Sequence, residues 1–188
     1  MDSIINLSLQ AADDDEVAFE AIFKVFYTRL LQFAGFTLKN REEAEEVVED
    51  VFIKLWENRK TLSAIKNLNY YLFVVTKHMA LNYIEKNKKH PTLYLEDATI
   101  DFGEISMNPE ECLISAQAVQ KIQQIIDELP PQCKLIFKLI KEDGLKYKET
   151  ASLLQLSIKT IESQMALALR KIGNTLRSGK ENQFSQYL

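Results

Sequence analysis

The chain is poor in the residues that punctuate tight turns, with five glycines and four prolines among 188 positions. A sheet of many short strands needs more such positions, so long uninterrupted helices are the simpler reading. Cysteine is scarcer still. Cys112 and Cys133 stand without a CxxC pair and without a histidine cluster beside them, so neither zinc nor a dithiol redox motif is indicated and two ordinary reduced thiols remain. No segment approaches the roughly 20 apolar residues needed to span a bilayer. Met1 to Gln10 lack the basic flank and continuous apolar core of a secretion signal, so a cytoplasmic protein is expected. Internal repeats and low-complexity tracts are absent.

What is present is enough apolar material for a globular chain, at 46% hydrophobic residues. The formal net charge of −4 argues against a protein that coats nucleic acid, but its distribution is uneven. Acids gather in Asp13 to Glu16, in Glu42 to Asp50 and in Glu96 to Glu111, where six acids occur with no lysine or arginine. Bases gather elsewhere. One cluster is Lys77, Lys86, Lys88 and Lys89 with His78 and His90 among them; the other is Lys159, Arg170, Lys171, Arg177 and Lys180. These two segments are the candidate polyanion-facing surfaces.

Helical spacing recurs along most of the chain. Phe19, Ile22, Phe23, Phe26, Leu30 and Phe33 form one apolar stripe between Val17 and Gly35. Asn40 is placed to cap a second helix carrying Ala44, Val47, Val48, Val51, Phe52 and Leu55 and ending near Asn58, with Glu42 and Glu43 in the first turn where the helix dipole favours them. After a loop over Arg59 to Leu68, Asn69 is placed to cap a third helix with Leu72, Val75, Met79, Ala80 and Tyr83 on one side. The periodicity then lapses from Asn87 to Pro109, where Pro91, Gly103 and the acids read as a linker. It returns with Val119, Ile122, Ile126 and Leu129, breaks at Pro130-Pro131, resumes with Leu135, Ile136, Leu139 and Ile140, and stops at Gly144. Two further helices follow, at about Lys146 to Leu154 and Ile158 to Thr175. The expected fold is all-α: two small helical domains, 1–88 and 113–178, joined by a flexible acidic linker over 89–112 and followed by a tail over 179–188.

The last two helices have the features of a helix-turn-helix. That motif needs a small residue where the second helix crosses the first, a turn residue that tolerates positive φ, and an apolar residue facing back. Ala151, Gln155 and Ile161 occupy those places, and Ser157 is positioned to cap the second helix with its hydroxyl. Lys159, Thr160, Glu162, Ser163 and Gln164 are left facing outward, as a recognition helix in a major groove requires, with Arg170 and Lys171 reaching for phosphate. Any short amphipathic helix pair also has polar residues outside. The capped turn and the one-sided basic charge favour DNA.

The run GLKYKETASLLQLSIKTIESQMALALRKI resembles the C-terminal promoter-reading region of extracytoplasmic-function (ECF) sigma factors, and LPPQCKLIFKL before it resembles that domain's opening helices. The family usually has glycine where Gln155 stands, and histidine is common at Gln164. A similar C-terminal motif occurs in response regulators, but the N-terminal half lacks the alternating strands and helices of a receiver domain. Instead AFEAIFKVFYTRLLQFA, AEEVVEDVFIKLWEN and NLNYYLFVVTKHMALNYIEKNKK resemble successive regions of the first sigma domain, so the likeness runs from Asp14 to Arg177.

The resemblance implies partners and roles. The helix carrying Val48, Asp50, Val51, Lys54, Leu55 and Trp56 would grip the clamp helices of the largest subunit of core RNA polymerase, and the flap of the second-largest subunit would be a further contact. For Trp56 and Leu55 the other reading is that they belong to the domain's own core. The third helix would face the minus-10 element through Lys77, His78, Asn82 and Tyr83, with Lys86, Lys88 and Lys89 along phosphate. The loop Thr61 to Asn69, with Asn67 and Asn69, is the candidate pocket for a base already leaving the stack. His78 replaces the asparagine often found there, and Tyr70, Tyr71 and Tyr83 read as core or rim residues rather than as stacking platforms. The helix-turn-helix would read the minus-35 element of promoter DNA. The acidic linker is either a solvated tether or a segment lying in a cationic polymerase channel. An anti-sigma factor, commonly membrane-bound in the family, is implied by analogy, as is the absence of any cofactor or enzyme activity.

Two other functional classes fit parts of the sequence. A metal enzyme could use Glu42, Glu45, Glu46, Glu49 and Asp50, but the Glu-x-x-His pairs of such bundles are missing and the acids fit a solvated helix side. A stand-alone helix-turn-helix regulator should bind specific duplex without polymerase.

Overall fold

The computed structural model describes residues 2–87 and 122–184; side chains are described from Ile4 to Asn87 and from Ile122 to Asn174. The chain divides into two compact units, and the described segments fall one in each. Among the described residues every element is helical and no strand occurs. No helix among them is long and apolar enough to cross a membrane. The acidic linker, Cys112 and the basic residues Lys88 and Lys89 lie outside the described residues.

In the N-terminal unit the helices are α1 (Asp2–Ala12), α2 (Glu16–Leu38), α3 (Arg41–Glu57) and α4 (Leu68–Lys86), with a 3-10 helix at Arg59–Ala64 between the last two. Helix α1 has no counterpart in the sequence expectations. Its fully buried residues are small, Ala11, Ala12 and Ser8, the last donating its hydroxyl to the Ile5 carbonyl at 2.7 Å, while Ile4 and Leu7 are half-buried, so the apolar stripe is short. Asp15 starts α2 by accepting the Val17 and Ala18 N–H groups, which places the acids of this turn where the helix dipole favours them. The α2 core residues Ile22, Phe26, Leu30 and Phe33 are buried as the spacing predicts, whereas Phe19 is half-buried and Phe23 exposed.

Asn40 caps α3 as expected, with its Oδ1 accepting the Glu43 N–H at 3.2 Å, and the helix closes at Asn58. The cap of α4 is Asn67, not Asn69: Asn67 Oδ1 accepts the Tyr70 N–H at 3.1 Å. The helix starts two residues early because Leu68 is already part of the core. Its buried side runs through Leu68, Leu72, Phe73, Thr76, Ala80 and Ile84, so Val75, Met79 and Tyr83 sit at the margin. The expected loop before it is partly ordered as the 3-10 helix, held down by buried Leu62.

The C-terminal unit contains a helical segment over 122–127, then α5 (Pro131–Lys141), α6 (Tyr147–Leu154) and α7 (Ile158–Phe184). Proline suits the first turn of α5, where its missing N–H has no intrahelical partner to lose. Gly144 follows α5 with φ +69°, the left-handed conformation its position between α5 and α6 requires. Ile126, Leu129, Cys133, Ile136, Phe137, Ala151, Ile161, Met165 and Ala168 form the core of this unit. Helix α7 continues to Phe184, well past the expected end near Thr175 and into the expected tail.

Candidate nucleic-acid and protein interfaces

Helix α6 begins at Lys146, whose N–H is capped by the Glu149 carboxylate at 2.8 Å. It ends on Gln155 in the left-handed region, φ 56° and ψ 39°, with the Gln155 N–H directed back to the Ala151 and Ser152 carbonyls. The turn therefore keeps the geometry that a glycine would adopt without strain. Ser157 then opens α7: its Oγ accepts the Thr160 N–H at 3.0 Å and lies 2.8 Å from the Thr160 hydroxyl. Ala151 and Ile161 are buried where the two helices cross, and Cys133 Sγ donates to the Gln164 carbonyl at 3.3 Å, tying α5 to the middle of α7. Burial pushes the Cys133 thiol pKa up, so it stays protonated and can donate.

With that side fixed, Ser157, Lys159, Glu162, Ser163 and Arg170 are exposed, and Thr160 and Gln164 are half-buried. One expected phosphate contact has another partner: Lys171 Nζ donates to the Glu128 carbonyl at 2.6 Å, closing the end of the preceding helical turn. Lys171 is thus removed from the outward basic set, because a carbonyl at a helix end is a ready acceptor for a cation.

Helix α3 corrects the docking surface more strongly. Val48, Val51 and Leu55 are buried in the unit's own core and cannot meet a partner, while Asp50 and Lys54 are exposed. The sequence reading missed Ile53, a large apolar side chain left 56% exposed. It shares the outward strip of α3 with Asp50, Lys54 and Glu57, and its signal was an apolar residue lying off the buried stripe.

Trp56 is half-buried at the edge of this strip, where Glu16, Phe19, Glu20, Phe23 and Trp56 line an open groove between α2 and α3. The Phe19 and Trp56 ring centroids are 4.9 Å apart in an edge arrangement, and Phe23 packs 4.7 Å from Phe52. Arg59 lies over the indole, its guanidinium carbon 4.3 Å from the ring centroid. The result is an aromatic surface edged by carboxylates, a composition suited to docking a protein carrying apolar and basic groups.

On α4, His78, Asn82 and Lys86 are exposed at successive four-residue steps and so follow one line along the helix. Lys77 is half-buried, and desolvation lowers its ammonium pKa. Tyr83 is directed elsewhere: its hydroxyl donates to Glu46 Oε2 at 3.1 Å, linking α4 to α3, and that bond raises the phenol pKa. Asn67 and Asn69 lie together at the start of α4, but the Asn67 carbonyl oxygen is engaged in capping and Asn69 is half-buried. Of the α3 acids, Glu45 pairs with Arg41 at 2.9 Å and Glu46 holds Tyr83, which gives both a structural use.

These geometries coincide with two matched segments. Residues 22–90 match the family model described as Sigma-70 region 2, and residues 119–172 match that described as Sigma-70, region 4. The chain belongs to the sigma-70 family. Relatives place it on the ECF branch: it is 22% identical over 177 residues to the ECF RNA polymerase sigma factor SigW of Bacillus subtilis, an alignment spanning 89% of this chain and 94% of the relative. It is 23% identical over 163 residues to the ferric citrate uptake sigma factor FecI of Escherichia coli K12, spanning 87% and 93%. Among solved structures it is similar to the sigma factor RpoE from Bartonella quintana, crystallised with the anti-sigma factor NepR, at a TM-score of 0.48 and 18% identity over 85% of this chain and 96% of that one. The ECF factor is thus an alternative RNA polymerase sigma factor, serving promoter recognition and transcription initiation.

Proposed function

We propose that the sigma factor divides its work among three surfaces. The outward strip of α3, Asp50, Ile53, Lys54 and Glu57, together with the Phe19, Phe23 and Trp56 groove, docks on core RNA polymerase. The line His78, Asn82 and Lys86 on α4, with Lys77 at its margin and Asn67 and Asn69 at the helix start, faces the minus-10 element. Ser157, Lys159, Thr160, Glu162, Ser163, Gln164 and Arg170 on α7 face the minus-35 element. Lys88 and Lys89 extend the minus-10 basic edge in sequence.

The observation that carries this reading is the Ser157-capped start of α7, whose buried side is closed by Ile161 and Met165 and whose opposite side offers a lysine, hydroxyls and an amide. Such groups at a helix N-terminus can contact base edges and phosphates while the buried side holds the unit together. The protein needs no chemistry of its own, since polymerase forms the bonds; opening the duplex requires only that unstacked bases be trapped. Cytoplasmic placement follows from that work. The flap of the second-largest polymerase subunit is the expected partner of the C-terminal unit, and a membrane-bound anti-sigma factor the expected inhibitor, both by family analogy.

The test is to mix the purified chain with bacterial core polymerase on genomic fragments and map transcript starts. Defined starts that depend on the chain support the reading; none at any fragment overturns it. The free chain should bind duplex promoter weakly, because one recognition helix per element and a net charge of −4 give little affinity until core fixes both elements together. Tight specific binding without polymerase would identify a stand-alone regulator instead.

A further inference from the structure

Trp56 is the only tryptophan in the chain, and its ring is packed from two separate segments, one of them anchored to a third. Phe19 of α2 packs on it edge-wise at 4.9 Å. Arg59, three residues later in the 3-10 helix, lies over it at 4.3 Å and donates Nη1 to the Trp56 carbonyl at 2.9 Å. The same guanidinium donates Nε to Asp14 Oδ1 in the α1–α2 turn. Asp14 sits at φ 69°, a left-handed position for a non-glycine residue, and its other oxygen accepts from Lys60. The α1–α2 turn is thus fastened to the 3-10 helix by Arg59 and Lys60, and Arg59 carries the link on to the end of α3.

This arrangement exceeds what the ion pair alone would require. A guanidinium is planar and presents several donors in fixed directions, so one Arg59 can stack on the indole, satisfy the carbonyl ending α3 and receive the Asp14 carboxylate together. A lysine could keep the attraction to Asp14 but not the stacking fork. Only 26% of the Arg59 side chain is exposed, so the contacts form in a partly desolvated place where cation–π attraction is stronger than on an open surface. The indole is therefore fixed before any partner arrives.

We infer that Arg59 is a positioning residue: anchored by Asp14, it holds the Trp56 ring as a preformed wall of the aromatic groove at which core polymerase docks. The inference rests on the docking surface proposed above. Preorganisation matters because a large side chain that must be ordered on binding weakens the complex, typically by about two- to tenfold per residue.

Because Trp56 is the sole tryptophan, its emission reports the ring directly in the free full-length chain. In Arg59→Gln the emission should move to longer wavelength and acrylamide quenching rise as the guanidinium cover is lost, with helical circular dichroism and thermal midpoint close to the parent. Affinity for core polymerase, read by competition with a labelled parent chain, should fall about two- to tenfold. Arg59→Lys should recover part of the affinity without restoring the quenching value. Asp14→Asn, which leaves Arg59 itself intact, should shift both readouts in the same direction by less, and it keeps the test available if Arg59→Gln folds poorly.

Unchanged quenching in both Arg59→Gln and Asp14→Asn overturns the inference. So does unchanged core affinity in those variants when Trp56→Ala loses it. Full core affinity in Trp56→Ala instead overturns the docking surface itself and the inference with it, which keeps the two failures apart.

Discussion

Helices α3 and α7 both bury one side and present another, yet they distribute chemistry differently. On α7 the buried side is apolar and much of the outward side is polar, with Lys159, Glu162, Ser163 and Arg170 exposed above Ile161, Met165 and Ala168. On α3 apolar residues occupy both sides: Val47, Val48, Val51, Phe52 and Leu55 are buried, while Ile53 is exposed and Trp56 half-buried. A helix that meets DNA needs outward groups that hydrogen-bond, and over Lys159 to Ser163 polarity separates the two sides of α7, although Ile158 and Leu169 outside that stretch are also exposed. A helix that meets protein can set an apolar side chain among its outward charges, as α3 sets Ile53 among Asp50, Lys54 and Glu57. Position, rather than residue type, then decides which apolar side chain has which role.

The largest expected effect tests that distinction. Leu55→Ala removes a buried side chain from the N-terminal unit and should destabilise it by about 2–4 kcal/mol, the usual cost of a truncated core residue with its residual cavity. Ile53→Ala removes a similar side chain two positions earlier and should change stability by less than about 0.5 kcal/mol, while weakening association with core polymerase. Chemical denaturation followed by Trp56 fluorescence, with core competition alongside, measures both. If Ile53→Ala unfolds the unit, or Leu55→Ala leaves it as stable as the parent, the two sides of α3 have been exchanged.

On α7 the same pair of measurements should separate in the opposite manner. Lys159→Ala should leave the thermal midpoint and core association near the parent and reduce initiation at minus-35-dependent promoters by about three- to tenfold, with a shallower salt dependence. Loss of core association in this variant would show that the outward side of α7 serves protein and not DNA.

Legibility in the sequence follows the same division. The helix-turn-helix could be read residue by residue, because Ala151, Gln155, Ser157 and Ile161 each answer to a local requirement: close approach, positive φ, a cap and burial. The residues proposed to dock could not, because spacing places Val48, Val51 and Leu55 on one stripe without saying whether that stripe meets α2 and α4 or a partner. Phe23 illustrates the converse, since its spacing fits the α2 stripe yet it lies at the groove edge. Helix α1 was hidden because its fully buried residues are alanines and a self-bonded serine. The partners of Lys171 and Tyr83 could not be read locally, because only the fold brings Glu128 and Glu46 within reach.

A smaller effect concerns the turn that sets the angle of α7. Gln155 adopts φ 56° without being glycine, and Lys39 does the same at the end of α2. Gln155→Gly should relieve the left-handed strain, offset in part by the greater freedom of glycine in the unfolded chain, for a net gain of about 0.5 kcal/mol. Lys39→Gly should give a comparable gain in the other unit. Promoter use should be unchanged in both, since neither side chain faces DNA in the proposed arrangement. A loss of stability in Gln155→Gly would mean that its side chain, and not only its backbone, supports the turn.

The smallest expected effect belongs to Asp14 and is distinguished by its pH dependence. The Lys60 ammonium, and then the Arg59 guanidinium, hold its carboxyl pKa below the ordinary value of 3.8. A carboxylate whose folded value is depressed adds stability at pH above its unfolded value and loses that contribution as pH falls through the folded one. Asp14→Asn should therefore lower the stability of the N-terminal unit slightly at pH 7, with a difference that stays level down to about pH 4 and narrows below it. Added salt should shrink the difference at pH 7, because the carboxylate is exposed and the pair is screened. Denaturation of parent and variant, followed by Trp56 fluorescence at pH 7 and below pH 3.8, reads the difference in the unit that contains the ion cluster. The C-terminal unit supplies the internal comparison: its own unfolding, followed by a probe attached on α7, should respond alike in parent and variant at both pH values. A difference that widens on acidification would mean that the Asp14 carboxyl is favoured protonated in the fold, and that the turn is held to Arg59 by something other than its charge.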